Sequence, residues 1–359
     1  MTSVPLRRPR GESRAVDSGY LEEGDLGSGR PGGSLPLHQS SVHASMMPPL
    51  NSAFTTLKRA LLALALVAAV YVVGARTGLL LGVGVGQLKG HGKGGENIYS
   101  FDENGAASAA LDLVVVAGHA VLDFKSDFRQ AGTDDACWHL LPYQKKRGMP
   151  EAILGHIRAG IAAAAQNREA LLVFSGGETR RDVGPISEGA SYFAISDALS
   201  LWAEETNSPE VRSRTATEEF ATDSFQNLLF SICRFHAVTG RFPRHISLVS
   251  FSFKRRRFED LHAHALRWPT ERFTYISTDP DAKSGFDLEL ATQGELENAL
   301  KPFETDKYGC HSKVLTQKRE QRNPFRRTAG YDSTCSDILP LLNHCGPELF
   351  GGDLPWDGG

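Results

Sequence analysis

Several chemistries are missing from this sequence. It has no Gly-x-Ser-x-Gly nucleophile elbow, no Walker phosphate loop and no His/Cys cluster at metal-ligand spacing. Those absences argue against covalent serine hydrolysis, P-loop nucleotide hydrolysis and zinc chemistry. His262 and His264 do not restore a metal site, because residues two apart do not share a helix face. An excess of one charge is missing too. The 39 Lys and Arg against 42 Asp and Glu leave a formal net charge of −3, too small a field to steer the chain toward nucleic acid. No Asn-x-Ser/Thr glycosylation acceptor occurs. Cysteine is scarce, with five in 359 residues, but Cys310, Cys335 and Cys345 fall close together near the C-terminus. Hydrophobic patterning is poor there. The segment is either stapled by a disulfide in an oxidising lumen or carries reduced thiols.

What is present changes along the chain. Residues 1–57 are rich in Arg, Gly, Ser and Pro, without a sustained apolar period, and read as a disordered tail. Acids within it (Glu12, Asp17, Glu22, Glu23, Asp25) argue against a mitochondrial transit peptide. Residues 60–85 are mostly apolar, with Arg76 as their one charge, and roughly 20 apolar residues cross a bilayer core. The stretch starts too late for a cleaved signal peptide. It lies between a polar tail and a Gly-rich linker, which leave nothing to bury it, so it reads as one transmembrane helix. Lys58 and Arg59 on one side balance Lys89 and Lys93 on the other, so flanking charge does not orient it. After a linker at 86–108, an α/β domain is expected over 109–305 and an irregular C-terminal extension over 306–359. On the disulfide reading of the cysteine cluster, that domain is expected in a lumen of the secretory pathway, Golgi or endoplasmic reticulum.

Within 109–305, continuous apolar runs at 111–117, 171–174, 245–251 and 273–276 alternate with helical periodicity. Ile153, Ile157, Ile161 and Ala165 mark one helix behind Pro150, and residues 188–203 a second. Thr215-x-x-Glu218 has the pattern of a capping box opening a third, whose buried side carries Phe225, Leu228, Leu229, Ile232 and Phe235. Apolar strands separated by helices imply a Rossmann-like doubly wound, mainly parallel sheet covered on both faces.

Such a sheet gathers the carboxyl ends of its strands into one crevice. Three ends meet there: Gly118-His119, Ser175-Gly176-Gly177 and Ser252-Phe253-Lys254. Ser-Gly-Gly lets a ligand approach the backbone closely. Lys254 and Arg257, at a strand-to-helix turn, favour a phosphate or carboxylate. Glu219, Asp223 and Asn227, spaced by four, are placed on one face of the third helix, tolerated by solvent screening or by a cation or Arg257 between them. A basic run at 313–327 reads as a solvated face, with contact to phosphate or an anionic membrane as the alternative.

The succession VVVAGH, LLVFSGGETR with Ser187-Glu188 behind it, Glu-x-x-x-Asp-Ser-x-x-Asn from Glu219, and LVSFSFKRRRF resembles the SanA/YdcF-like family, domain of unknown function family 218. The resemblance spans about residues 110–280. It implies a Rossmann-like domain, often tethered by one membrane helix, and bacterial members linked to the cell envelope. One of those resembles an S-adenosylmethionine binder, which adds S-adenosylmethionine to the ligand classes. By this resemblance the binding residues are Gly118, Ser175, Gly176, Gly177, Ser187, Asn227, Lys254 and Arg257. Lys254 stands where the family has His, so an imidazole would have to come from His119 or His262. The extension at 306–359 lies outside the bacterial pattern and is similar to a fungal-type branch.

The resulting expectation is a membrane-anchored protein with a small anionic or nucleotide-like ligand at the strand ends, and no nucleic acid. As an enzyme on a phosphorylated or nucleotide-linked substrate, it would use Glu188, Glu219 or Asp223 as base or as holder of a divalent cation, with His119 supplying an imidazole. Two alternatives are a non-catalytic binding or scaffold protein using the same pocket, and a lumenal glycosyltransferase using Asp279-Pro280-Asp281.

Overall fold

A computed structural model describes residue 105 and residues 107–358, except 205–209. All fall in the second of the two units into which the chain divides, Tyr99–Gly359. The tail at 1–57, the apolar stretch at 60–85 and most of the linker lie outside the described residues. No helix among the described residues is long and apolar enough to cross a membrane.

The centre is a five-stranded parallel sheet: β1 (Asp112–Ala117), β4 (Ala170–Ser175), β5 (Thr215–Glu218), β6 (Ile246–Ser250) and β7 (Phe273–Ser277), in the order β5-β4-β1-β6-β7. A short hairpin, β2 (Val121–Leu122) with β3 (Trp138–His139), sits beside it. The longer helices are α1 (Met149–Gln166), α2 (Glu188–Ala198), α3 (Ser224–Thr239), α4 (Leu288–Glu295) and α5 (Lys313–Gln321). A π-helical stretch, Arg257–Ala263, follows β6.

Alternation along the strands divides the core in two. Val114, Val116, Leu172 and Phe174 face α1 and α2. Leu113, Val115, Leu171, Val173 and Leu248 face α3, the π-helical stretch and the C-terminal extension. Two connections therefore cover each face, and winding reverses between β1 and β6. That reversal is the switch point where ligands sit in such sheets. Helix α1 packs closely on β1: a Cβ on Gly160 would run into a Val116 methyl.

Two expectations are corrected. Residues 215–218 form β5, not a helix start. Their register against Leu172–Ser175 supplies ladder hydrogen bonds that a lone capping box cannot match, and α3 starts at Ser224, capped by Asp223. The extension is not merely irregular: it carries α5 and several helical turns. It is also cross-linked. Cys233 of α3 bonds Cys335, and Cys310 bonds Cys345, while Cys137 is free and buried. Near its end, fully buried Trp356 donates its indole N–H to Leu266 O (2.8 Å).

Candidate functional site

Strand β4 ends in Ser175, whose hydroxyl points into the protein. It donates to Glu218 Oε2 (2.6 Å) and accepts from Asn227 Nδ2 (2.9 Å). The other Glu218 oxygen accepts the backbone N–H groups of Phe220 (2.7 Å) and Ala221 (3.2 Å). Burial nevertheless raises the Glu218 carboxyl to about 7, against the pull of the Ser175 hydrogen bond. Ser175 has no exposed surface. Its hydroxyl and the Asn227 amide tie β4, β5 and α3 together and are not presented to a ligand.

The glycines beside Ser175 were expected to admit a ligand; they admit Glu188. A Cβ on Gly176 would lie 2.6 Å from Glu188 Oε2, and one on Gly118 would lie 2.7 Å from the same atom. A Cβ on Gly177 would meet Ala221 O at 2.7 Å. The absent side chains thus let the first turn of α2 bring its carboxylate onto the ends of β1 and β4. Thr179 Oγ1 donates to Glu188 Oε1 (2.8 Å). Ser187 caps α2 by accepting from Ala190 N (2.9 Å), and its hydroxyl donates to Glu219 Oε2 (2.8 Å).

Glu219, Asp223 and Asn227 do not share a helix face. Glu219 follows β5 and accepts from Thr217 Oγ1 (2.7 Å). Asp223 caps α3 through Gln226 N (2.9 Å) and takes Arg319 Nε at 2.6 Å. Only Asn227 lies within α3. Among these acids, Glu188 is the one set against the strand-end glycines. His262, the other imidazole considered, is a core residue: Nε2 meets Ser224 Oγ at 2.7 Å and the ring packs on Phe225, Phe258 and Phe303.

Across the switch point the chemistry differs. Lys254 Nζ lies 3.4 Å from His119 Nδ1 and over the Phe251 ring at 5.0 Å. His119 packs edge-on against His156 of α1, with ring centroids 5.0 Å apart. His156 Nε2 meets the Thr278 carbonyl at 2.7 Å, so that nitrogen carries the proton. His119 Nε2 and His156 Nδ1 are buried without a hydrogen-bond partner. Burial pushes His119 well below the ordinary imidazole range, helped by the Lys254 charge, and takes His156 down to about 4. Burial, then the Arg257 charge, lowers Lys254 to about 7. Arg257 Nε sits 3.1 Å from Glu295 Oε1 of α4, at an angle that makes an ion pair but not a hydrogen bond.

This arrangement holds two neutral imidazoles, an amine poised between its charged and neutral forms, and a guanidinium, with the Glu188 charge acting on the amine. Proton transfer to or from a bound anion is within its reach. His156 and Glu295 were not singled out from sequence, and Thr179 stood in the LLVFSGGETR motif without a role. His156 and Glu295 are common residues inside ordinary helix patterns, and only the fold carries them into this arrangement. Among the described residues no group of three or more His, Cys, Asp or Glu could hold a metal ion. Asp281 caps the turn at Ala282–Ser284, accepting from Lys283 N, and Asp279 accepts from Ser252 N across the strand ends. An open cavity of about 890 Å³ lies under the extension, between Phe220, Phe230, Tyr331 and Arg326. It includes none of His119, Glu188 or Lys254, so the perturbed titratable groups mark the strand ends as the candidate site.

No protein-family profile matches the chain, and no solved structure matches it. The uncharacterized protein YOR238W of Saccharomyces cerevisiae is 32% identical over 262 residues, covering 62% of this chain and 86% of the yeast protein. At that identity and coverage, this chain belongs to the same family as the uncharacterized yeast protein YOR238W.

Proposed function

We propose that the crevice between β1 and β6 binds a small phosphorylated or nucleotide-like anion, and that Lys254 exchanges a proton with it. One observation carries this reading: Lys254 lies partly buried at the switch point, in no ion pair among the described residues, beside an imidazole whose far nitrogen has no partner. A cation so enclosed costs stability unless an anion neutralises it. Burial sets the amine at about 7, so it can give or take a proton at neutral pH. Arg257 beside it supplies the permanent charge, and Glu188 closes the opposite side. Lys254 occupies the position where the SanA/YdcF-like pattern has His, and an amine lowered to this range can do what an imidazole would do there.

The reading extends to the membrane. Residues 60–85 would anchor the chain, and two disulfides favour an oxidising lumen for the domain. Protease treatment of sealed microsomes should leave the extension intact until detergent is added; digestion of intact microsomes would put the domain on the other side.

The ligand test is calorimetric titration of the full chain, in mild detergent, with orthophosphate, uridine monophosphate and S-adenosylmethionine. Saturable binding of the phosphates that Arg257→Met weakens by about tenfold or more supports the site. Binding of S-adenosylmethionine alone would replace the phosphate assignment. No binding by any of them, or binding indifferent to Arg257, would remove the proposal.

A further inference from the structure

Helix α5 turns cations inward. Leu315 is its buried anchor, and Lys318, Arg319 and Arg322 follow three, four and seven positions on, on the same face and partly buried. An amphipathic helix ordinarily puts apolar side chains there. Expected from sequence as a solvated face, this part of the basic run instead packs on Thr222 and Asp223 before α3 and on Asn298 beyond α4. Arg319 is neutralised by Asp223 and also donates to Tyr308 O at 2.8 Å. Lys318 and Arg322 have no carboxylate in an ion pair among the described residues. The Lys318 ammonium donates to the Asn298 carbonyl, and Arg322 Nη1 to the Thr222 carbonyl at 3.2 Å.

These cations and those of the strand end act on one another. The charges of Arg257 and Arg322 both bear on Lys254 and on Lys318, and Glu295 opposes them at both. Glu295, which pairs with Arg257, and Asn298, whose carbonyl takes the Lys318 ammonium, lie three residues apart, so the basic strand end and the extension meet along this one segment. Among the described residues, Arg257 is the one of these four cations with a carboxylate in ion-pair range. Glu188 offsets part of this repulsion at Lys254 and Asp223 part of it at Lys318, and a shared anion would relieve the rest.

The number of donors limits what that anion is. Thr222 O takes one N–H of Arg322, Asn298 O one of Lys318, and Glu295 faces Arg257 Nε, yet the two guanidinium and two ammonium groups still hold more than three N–H donors between them. A phosphate monoester offers three acceptor oxygens. We propose that the crevice is a diphosphate site: Lys254 and Arg257 hold one phosphate, and Lys318 and Arg322 of the extension hold the other. The inference rests on the anion-binding reading above and goes beyond it by naming the ligand's charged group and making the extension part of the site.

The test compares orthophosphate with pyrophosphate, by calorimetry on the full chain at constant ionic strength. The wild-type chain is expected to bind pyrophosphate about tenfold or more tightly than orthophosphate. In Lys318→Met/Arg322→Met that preference should vanish while orthophosphate binding persists. Equal affinity in the wild type would overturn the diphosphate assignment and leave the anion crevice standing; binding of neither would remove both. The wild-type ratio needs no variant, so misfolding of the double mutant cannot protect the idea. Uridine diphosphate and geranyl diphosphate then distinguish the source. Tighter binding of one than of pyrophosphate identifies the organic half, and weaker binding of both than of orthophosphate contradicts a diphosphate ligand.

Discussion

The two sides of the end of β1 use similar residues in different ways. Toward β4, the hydroxyl of Ser175, both oxygens of Glu218 and the amide of Asn227 are all hydrogen-bonded within the protein. Toward β6, His119 Nε2 and His156 Nδ1 have no partner, and Lys254 has an imidazole and aromatic rings for company. A completed network specifies a fold; an incomplete one, kept buried at a switch point, is where a ligand can repay the cost. The more eye-catching sequence motif, Ser-Gly-Gly, belongs to the completed side.

The largest effect should come from the extension, which covers both sides. Replacing Cys233 and Cys335 with Ser opens a cross-link spanning 102 residues and should cost about 3–5 kcal/mol in urea unfolding. Next is Gly176→Ala, which drives a methyl into Glu188 and should cost about 3 kcal/mol, the upper end for overpacking. Ser175→Ala should cost less, about 1–2 kcal/mol, by leaving Glu218 and Asn227 short of a partner. If either β4-side change left stability untouched, that network would not be structural.

The smallest effect has the opposite sign. The fold lowers Lys254 from 10.5 to about 7, so the folded chain binds that proton less readily than the unfolded chain does. Stability from the neutral amine is complete above 10.5 and is lost as pH falls toward 7. Lys254→Met should therefore stabilise the protein, by of the order of 1 kcal/mol at neutral pH and by less as pH rises. Urea unfolding between pH 6 and about 9 checks the sign. A destabilised variant would mean that Lys254 belongs to a completed network after all.

Much of the architecture was legible because it rests on period. The apolar runs at β1, β4, β6 and β7 and the Ile153-Ile157-Ile161 stripe all resolve as read. β5 was missed because Thr215-Ala-Thr-Glu218 has little apolar content and imitates a helix start; pairing with β4, invisible locally, decides it. The three strand ends were placed on one rim correctly, while the roles within it were not readable. Which atom lies beyond a glycine is a tertiary fact, so Gly176 read as a ligand approach turned out to accommodate Glu188. The inward turn of Lys318 and Arg322 could have been found from their spacing to Leu315, had the basic run been read at helical period rather than by composition.

The contrast between the two sides is tested most directly by titrating orthophosphate into the full chain and its Ser175→Ala and Lys254→Met variants, with unfolding stability measured on the same samples. The account predicts that Ser175→Ala loses stability and keeps the wild-type affinity, whereas Lys254→Met gains stability and loses binding by about tenfold or more. Lost binding in Ser175→Ala with unchanged binding in Lys254→Met would contradict it.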